Sequence, residues 1–157
     1  MNIVIESLNN CPHHIQQLAK IWHETLGNYF PEIALCDIEK KLHAHRNTDT
    51  LPLTFVAIFD EKPVGMCSLR ETEGLRPDLA PRVSSLVVSP THQRRGIGRM
   101  LMNAVLQKAR ALGFEKIYLY AFDPIVLAWY ERMEWQKIGN ETFDNRTVTL
   151  MSFDLKL

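Results

Sequence analysis

The sequence predicts an α/β (α+β) domain built on a mixed, mostly antiparallel sheet of six to seven strands flanked by helices, in the order β-α-α-β-β-β-α-β-α-β-β. Two observations carry this. Short β-branched and apolar runs alternate with segments of helical apolar spacing along the whole chain. The run at 82–89 is also too apolar for a strand with one wet face, and a long amphipathic segment and another apolar run follow it directly. Those two strands, joined through a helix, must be parallel, whereas strands joined by tight turns must be antiparallel. At 157 residues the chain is the size of one domain, taken as residues 1–157.

Asn2 to Ser7 alternates, with Ile3 and Ile5 on one face, and reads as a first strand. From Pro12, a tolerated first-turn residue, Ile15, Leu18, Ile21, Trp22 and Leu26 recur at helical spacing until Gly27. A loop covers Asn28 to Glu32, and Asp37 is the expected cap of a second helix through Ile38, Leu42 and His45. Leu53 to Phe59 and Val64 to Leu69 flank the turn-forming Asp60-Glu61-Lys62-Pro63, which predicts a hairpin. After a polar loop from Arg70 to Pro81, Arg82 to Ser89 is the central strand and Gly96 to Gly113 bracket the crossover helix. Lys116 to Phe122 is a fifth strand. Asp123-Pro124 opens a short helix over Ile125 to Met133, cap and first-turn proline in order. Gln136 to Phe143 and Thr147 to Leu155 flank Asp144-Asn145-Arg146 and close the chain as a second hairpin.

Eighteen basic residues balance eighteen acidic ones, so the molecule lacks the overall field that draws proteins to nucleic acid or an anionic membrane. We therefore expect no nucleic-acid and no membrane partner. No apolar run reaches the ~18 residues of a membrane span and the first residues carry no signal core, which reads as a cytoplasmic protein. Cys11, Cys36 and Cys67 encode neither a disulfide framework nor a zinc knuckle. His13, His14, His43 and His45 do not share one helix face, so no metal is expected.

The most informative stretch is Leu86-Val87-Val88-Ser89-Pro90-Thr91-His92-Gln93-Arg94-Arg95-Gly96-Ile97-Gly98-Arg99. It sets two glycines at a helix start, where unpaired N–H groups and the positive end of the dipole face outward. Arg94, Arg95 and Arg99 focus charge on the same spot, so a pyrophosphate fits there. The same pattern also fits a glycine-relieved turn with solvated arginines. It is neither a Rossmann fingerprint nor a P-loop, which end differently.

Val88-Ser89-Pro90 followed by Gln93-Arg94-Arg95-Gly96-Ile97-Gly98 resembles the acetyl-CoA pyrophosphate loop of the GNAT superfamily of N-acetyltransferases. The stretch Asp123 to Trp135 falls in register with that family's later helix motif, with Tyr130 at the tyrosine. Three positions depart: Asp123 for an asparagine that in the family contacts pantetheine, Val126 for alanine, and Glu134 for glycine. The resemblance implies a GNAT fold, acetyl-CoA as co-substrate and an amine acceptor, small molecule or peptide. It implies that Leu86, Val87, Val88, Gln93, Arg94, Arg95, Gly96, Ile97, Gly98, Arg99, Asp123 and Tyr130 bind the coenzyme. It further implies that the Val88 amide supports the developing oxyanion and that Tyr130 is the acid for the leaving thiolate.

No base is visible. Ser84 and Ser85 stand where relatives often carry Glu or His, and an alcohol is no base at neutral pH. Glu24, Glu32, Glu71 and Glu73 are the nearest carboxylates to a cleft, each also readable as solvated surface. Trp22, Tyr29 and Phe30, with Glu24, are the candidate acceptor residues; aromatics there fit an apolar or cationic acceptor or a satellite core. A non-catalytic acyl-CoA sensor or interaction module is the competing reading, and a homodimer stays open.

Overall fold

Alternation and turn chemistry resolve into seven strands of a single sheet in the computed structural model, which describes residues 2–71, 78–143 and 145–156. The strands are β1 (Ile3–Ser7), β2 (Leu53–Phe59), β3 (Lys62–Arg70), β4 (Arg82–Val88), β5 (Lys116–Ala121), β6 (Gln136–Phe143) and β7 (Arg146–Asp154). Their spatial order is β1-β2-β3-β4-β5-β7-β6, and every neighbouring pair is antiparallel except β4–β5. The crossover expectation holds, and β4 sits fourth of seven. Four α-helices complete the described fold: α1 (Ile15–Leu26), α2 (Leu35–Ala44), α3 (Ile97–Ala111) and α4 (Pro124–Arg132).

Each helix buries the stripe its spacing predicts. Leu18, Ile21 and Trp22 of α1 and Ile38 and Leu42 of α2 pack on Val56, Met66 and Val87 over one face of the sheet. Ile97, Leu101, Met102 and Val105 of α3 pack with Cys67, Leu69, Val83 and Leu119, and Tyr130 of α4 and Trp135 join that second core. A sheet covered on both faces explains why the central strands lack a polar alternation.

Several boundaries differ from the sequence reading, each for a local reason. Pro12–His14 forms a 3-10 turn before α1 begins at Ile15. Asp37 is not the cap of α2: Ala34 is, and Asp37, one turn inside, accepts the Ala34 N–H at 3.1 Å. It still satisfies an orphan donor of the helix start, from inside the first turn. Lys62 and Pro63 belong to β3, so the first hairpin turns on Asp60 and Glu61 alone, both left-handed at φ 53° and 64°. Two consecutive positive φ values are the twist that a two-residue hairpin demands. Asp144 of the second expected turn lies outside the described residues.

Candidate functional site

β4 and β5 meet at one registered pair, Arg82 with Tyr118, backed by a 3.0 Å bond from the Tyr118 amide to the Pro81 carbonyl. Beyond that point the parallel ladder stops. β5 is held instead along its length by β7, six registered pairs from Lys116 to Ala121. β4 leans toward β3, where the register shifts between Met66 and Ser68 and Ser85 takes a left-handed φ of 54°. Such an irregularity bends its strand and re-aims side chains. Trp22 fixes it by donating its indole N–H to the Ser85 hydroxyl at 3.2 Å. The strands therefore part toward their carboxyl ends, and a cavity of about 400 Å³ occupies the gap between Leu86 and Val83 on one arm and Leu119 and Tyr120 on the other.

At the outer end of β4 the chain is pinned twice. The Ser89 amide donates to the Val64 carbonyl at 2.7 Å, and the Gln93 side-chain amide donates to the Val88 carbonyl at 3.0 Å. Arg94 and Gly96 then adopt left-handed φ values of 65° and 81°, and α3 starts at the next residue. The open amides of this first turn, with exposed Arg94 and Arg99, make a local positive pole on a neutral molecule. Gly98 lies inside that turn, where a Cβ would stand 3.3 Å from the Trp129 ring, so the glycine lets α3 and α4 approach closely.

α4 is set by its cap. Asp123 Oδ1 accepts the Val126 amide at 2.8 Å with Pro124 in the first turn, as the sequence predicts. Its other oxygen, Oδ2, accepts the Tyr29 hydroxyl at 2.9 Å, and the Arg146 guanidinium lies 5.1 Å over the Tyr29 ring. The far end closes in a Schellman arrangement, with Trp135 N–H on the Tyr130 carbonyl at 3.1 Å and Glu134 N–H on the Glu131 carbonyl at 3.0 Å. The residue that must be left-handed there is Glu134, at φ 74°. Tyr130 is thus held through its own carbonyl. Its ring, 7% exposed, lines the cavity, and burial, aided by Cys67 and Asp123, pushes the phenol well above its ordinary value.

Trp22, Tyr29 and Phe30 do line the cavity, joined by Phe122, whose ring centroid lies 5.4 Å from each of Tyr29 and Phe30. Trp22 is also core, so both readings of it hold. Glu24 is exposed and is not among the lining residues: Ile21 and Trp22 face inward, and two helical steps carry Glu24 outward. Glu32 borders the cavity, Glu71 is exposed at the end of β3, and Glu73 lies outside the described residues. Ser84 and Ser85 both line the cavity. Cys67 is fully buried, which raises its thiol. Among the described residues no group of three or more His, Cys, Asp or Glu is placed to hold a metal, and no helix is long and apolar enough to cross a membrane.

Sequence reasoning missed one wall of the cavity, made by Lys41, His45, Arg70, Arg82 and Tyr120. His45 is buried with Nδ1 3.2 Å from the Thr54 hydroxyl, which lies 2.7 Å from that of Ser68. Burial, with Arg70 and Lys41 nearby, pushes its imidazole down to about 4.

The chain aligns in three dimensions with an aminoglycoside 6'-acetyltransferase type Ii at 18% identity, TM-score 0.77, over 98% of both chains. It aligns with an aminoglycoside 6'-N-acetyltransferase solved in complex with coenzyme A at 16% identity, TM-score 0.78, again over 98% of both. An N-acetyltransferase from Staphylococcus aureus Mu50 gives 16% identity and TM-score 0.76 over 99% of this chain and 100% of that one. At these identities the likeness shows the fold. No curated protein matches the chain significantly. Residues 15–135, which run from the start of α1 through the glycine loop to the end of the α4 motif, match the sequence profile of the Acetyltransferase (GNAT) family, and the chain belongs to that family.

Proposed function

We propose that the protein is an acetyl-CoA-dependent N-acetyltransferase that moves an acetyl group to a primary amine by direct attack in a ternary complex. The observation that carries this is the parting of β4 from β5 after a single registered pair, directly in front of the glycine- and arginine-rich start of α3. A thioester arm entering that gap meets strand backbone on one side and Tyr130 on the other. The amides of the first turn of α3, with Arg94, Arg95 and Arg99, hold the pyrophosphate. Backbone groups of Leu86, Val87 and Val88 grip the pantetheine arm, and the Val88 N–H donates to the carbonyl oxygen as charge develops on it.

The proton balance is simple. The amine nitrogen bonds to the acetyl carbon, the carbon–sulfur bond breaks, and the amine gives up one proton as the thiolate gains one. Tyr130, kept neutral by burial, donates its O–H to the sulfur and is restored by the proton the amine releases. Asp123, with both oxygens already accepting hydrogen bonds, positions α4 and the loop bearing Tyr29 rather than acting as a base. Two of the solved relatives are named for aminoglycosides, which are polycations. The charged lining here, Lys41, Arg70 and Arg82 against Glu32 and Asp123, does not favour such an acceptor.

The test is release of free thiol from acetyl-CoA when the protein meets a panel of primary amines. Coenzyme binding with thiol released by no amine of any charge class makes the chain a binding module instead.

A further inference from the structure

We infer that the acceptor carries a carboxylate at the end remote from its amine, received by the basic end of the cavity; this rests on the acetyl transfer proposed above. Three cations from three elements converge there: Lys41 from α2, Arg70 from the end of β3 and Arg82 from the start of β4. Arg70 and Arg82 are direct cross-strand partners. Like charges set opposite one another weaken a sheet, so folding gains nothing from the pairing itself.

Arg82 is 6% exposed, with its guanidinium 4.7 Å over the Tyr120 ring. The cations share one field: Arg82 lowers Arg70, and Arg70 lowers both Lys41 and His45, after burial in each case. A carboxylate entering that wall would meet three positively charged side chains in a site partly shielded from water.

Hydroxyls lie beside the cations. Thr54 is 2.7 Å from Ser68, Ser68 is registered opposite Ser84, and Tyr120 follows on β5. The Ser84 and Tyr120 hydroxyls are closed off from solvent and have no hydrogen-bond partner among the described residues. Small shifts on binding would give each an acceptor oxygen, which buried hydroxyls require. Lys41 and His45 sit at the carboxyl end of α2, whose negative pole opposes any anion and opposes a doubly charged phosphate more than a singly charged carboxylate.

The length of the acceptor follows from β4. Arg82 precedes Val88 by six residues, which the irregularity at Ser85 sets opposite the five-residue step from Gly65 to Arg70, roughly 17 Å at ~3.3 Å per residue before the Arg82 side chain reaches out. An amine and a carboxylate on one carbon cannot span that interval, so a chain of several atoms separates them.

The experiment is calorimetry on the protein saturated with coenzyme A, using 6-aminohexanoate, 8-aminooctanoate, 6-aminohexanamide, hexylamine and 6-aminohexyl phosphate. One of the two carboxylates should bind at least about tenfold more tightly than the amide and hexylamine, the worth of one charge-assisted contact. Arg70→Gln and Lys41→Gln should each remove most of that preference while coenzyme A affinity, the check on folding, stays unchanged. Carboxylates that bind no better than the amide, or a preference that survives both variants, overturn the inference; tighter binding of the phosphate overturns the carboxylate assignment. A protein that fails to bind coenzyme A at all refutes the acetyl-transfer reading itself, a separate result.

Discussion

Tyr130→Phe deletes one oxygen and leaves the ring. The ring centroid lies 5.3 Å from that of Trp129 and 6.0 Å from that of Trp135, contacts that phenylalanine keeps. The folding cost should therefore stay within about 1 kcal/mol, a shift of roughly 2–4 °C in Tm. Catalysis should respond on another scale. A positioned acid is worth about 10²–10⁴ in rate, or roughly 3–5 kcal/mol of the barrier. The burial that raises the phenol also keeps it protonated in the folded state beyond its unfolded value of 10.0. Wild-type turnover should accordingly rise with pH as the amine loses its proton and show no Tyr130-dependent fall below pH 10. Folding linkage has the same direction: the neutral phenol suits the buried site, and stability is lost only as pH climbs above that unfolded value. The assay is initial-rate thiol release from acetyl-CoA with a free primary amine that the protein acetylates, alongside coenzyme affinity by calorimetry. A turnover loss under about threefold, or a loss matched by weaker coenzyme binding, refutes the acid role.

Gly98→Glu puts a side chain against Trp129 and a negative charge at the start of α3, so acetyl-CoA affinity should fall at least about tenfold by calorimetry while the circular dichroism spectrum stays native. His45 titrates at about 4 when folded and 6.5 when not, so its contribution is full above pH 6.5 and is lost as pH falls toward 4, by up to ~3 kcal/mol; urea titrations should show a flatter acid slope in His45→Gln. Glu134→Gly relieves a left-handed φ of 74° costing ~1–2 kcal/mol but adds unfolded-chain entropy of about 0.4–1 kcal/mol, so Tm should rise by about 2 °C in differential scanning calorimetry. Tyr29→Phe removes the hydrogen bond to Asp123, worth about 1 kcal/mol, and amide exchange at Tyr29 and Phe30 should quicken about fivefold by NMR.

The sheet was legible because its strands carry their own evidence. β4 is apolar enough to demand two covers, and the helix after it forces a parallel neighbour. The glycine loop was equally legible as a helix start, since Gln93 to Arg99 is contiguous and α3 begins at Ile97. Helix boundaries were less so: Asp37 looks like a cap, but an acidic side chain three residues into a helix serves the same orphan amide. The basic wall of the cavity was hidden for a different reason. Lys41, Arg70 and Arg82 are scattered over 42 positions of sequence, and only the β3–β4 register and the docking of α2 bring them together. No periodicity marks such a cluster. Glu24 failed in the opposite way: proximity in sequence to Trp22 and Tyr29 placed it near the cleft, and helical phase turned it away.

Asp123 shows how one departure from a family pattern is absorbed. An asparagine there has one acceptor oxygen and an amide that donates; a carboxylate has two acceptors. Here one oxygen takes the Val126 amide and so starts α4, which aims Tyr130, while the other takes the Tyr29 hydroxyl from the loop after α1. An amide could serve the first contact, but its NH₂ would then face Tyr29 and force the phenol to accept rather than donate. Arg146, stacked on Tyr29 and donating to the Asn28 carbonyl at 3.1 Å, ties the last hairpin to the same loop. Asp123 thereby joins α4 to the loop bearing Tyr29, and Arg146 adds a third segment through Tyr29 and Asn28. The charge also raises the Tyr130 phenol further, which keeps it in the protonated form that the proposed acid role needs. Under the roles proposed above, the aspartate would exchange an asparagine's contact with pantetheine for a fixed Tyr29 loop and a more firmly protonated Tyr130, and both consequences would follow from its two acceptor oxygens and its charge.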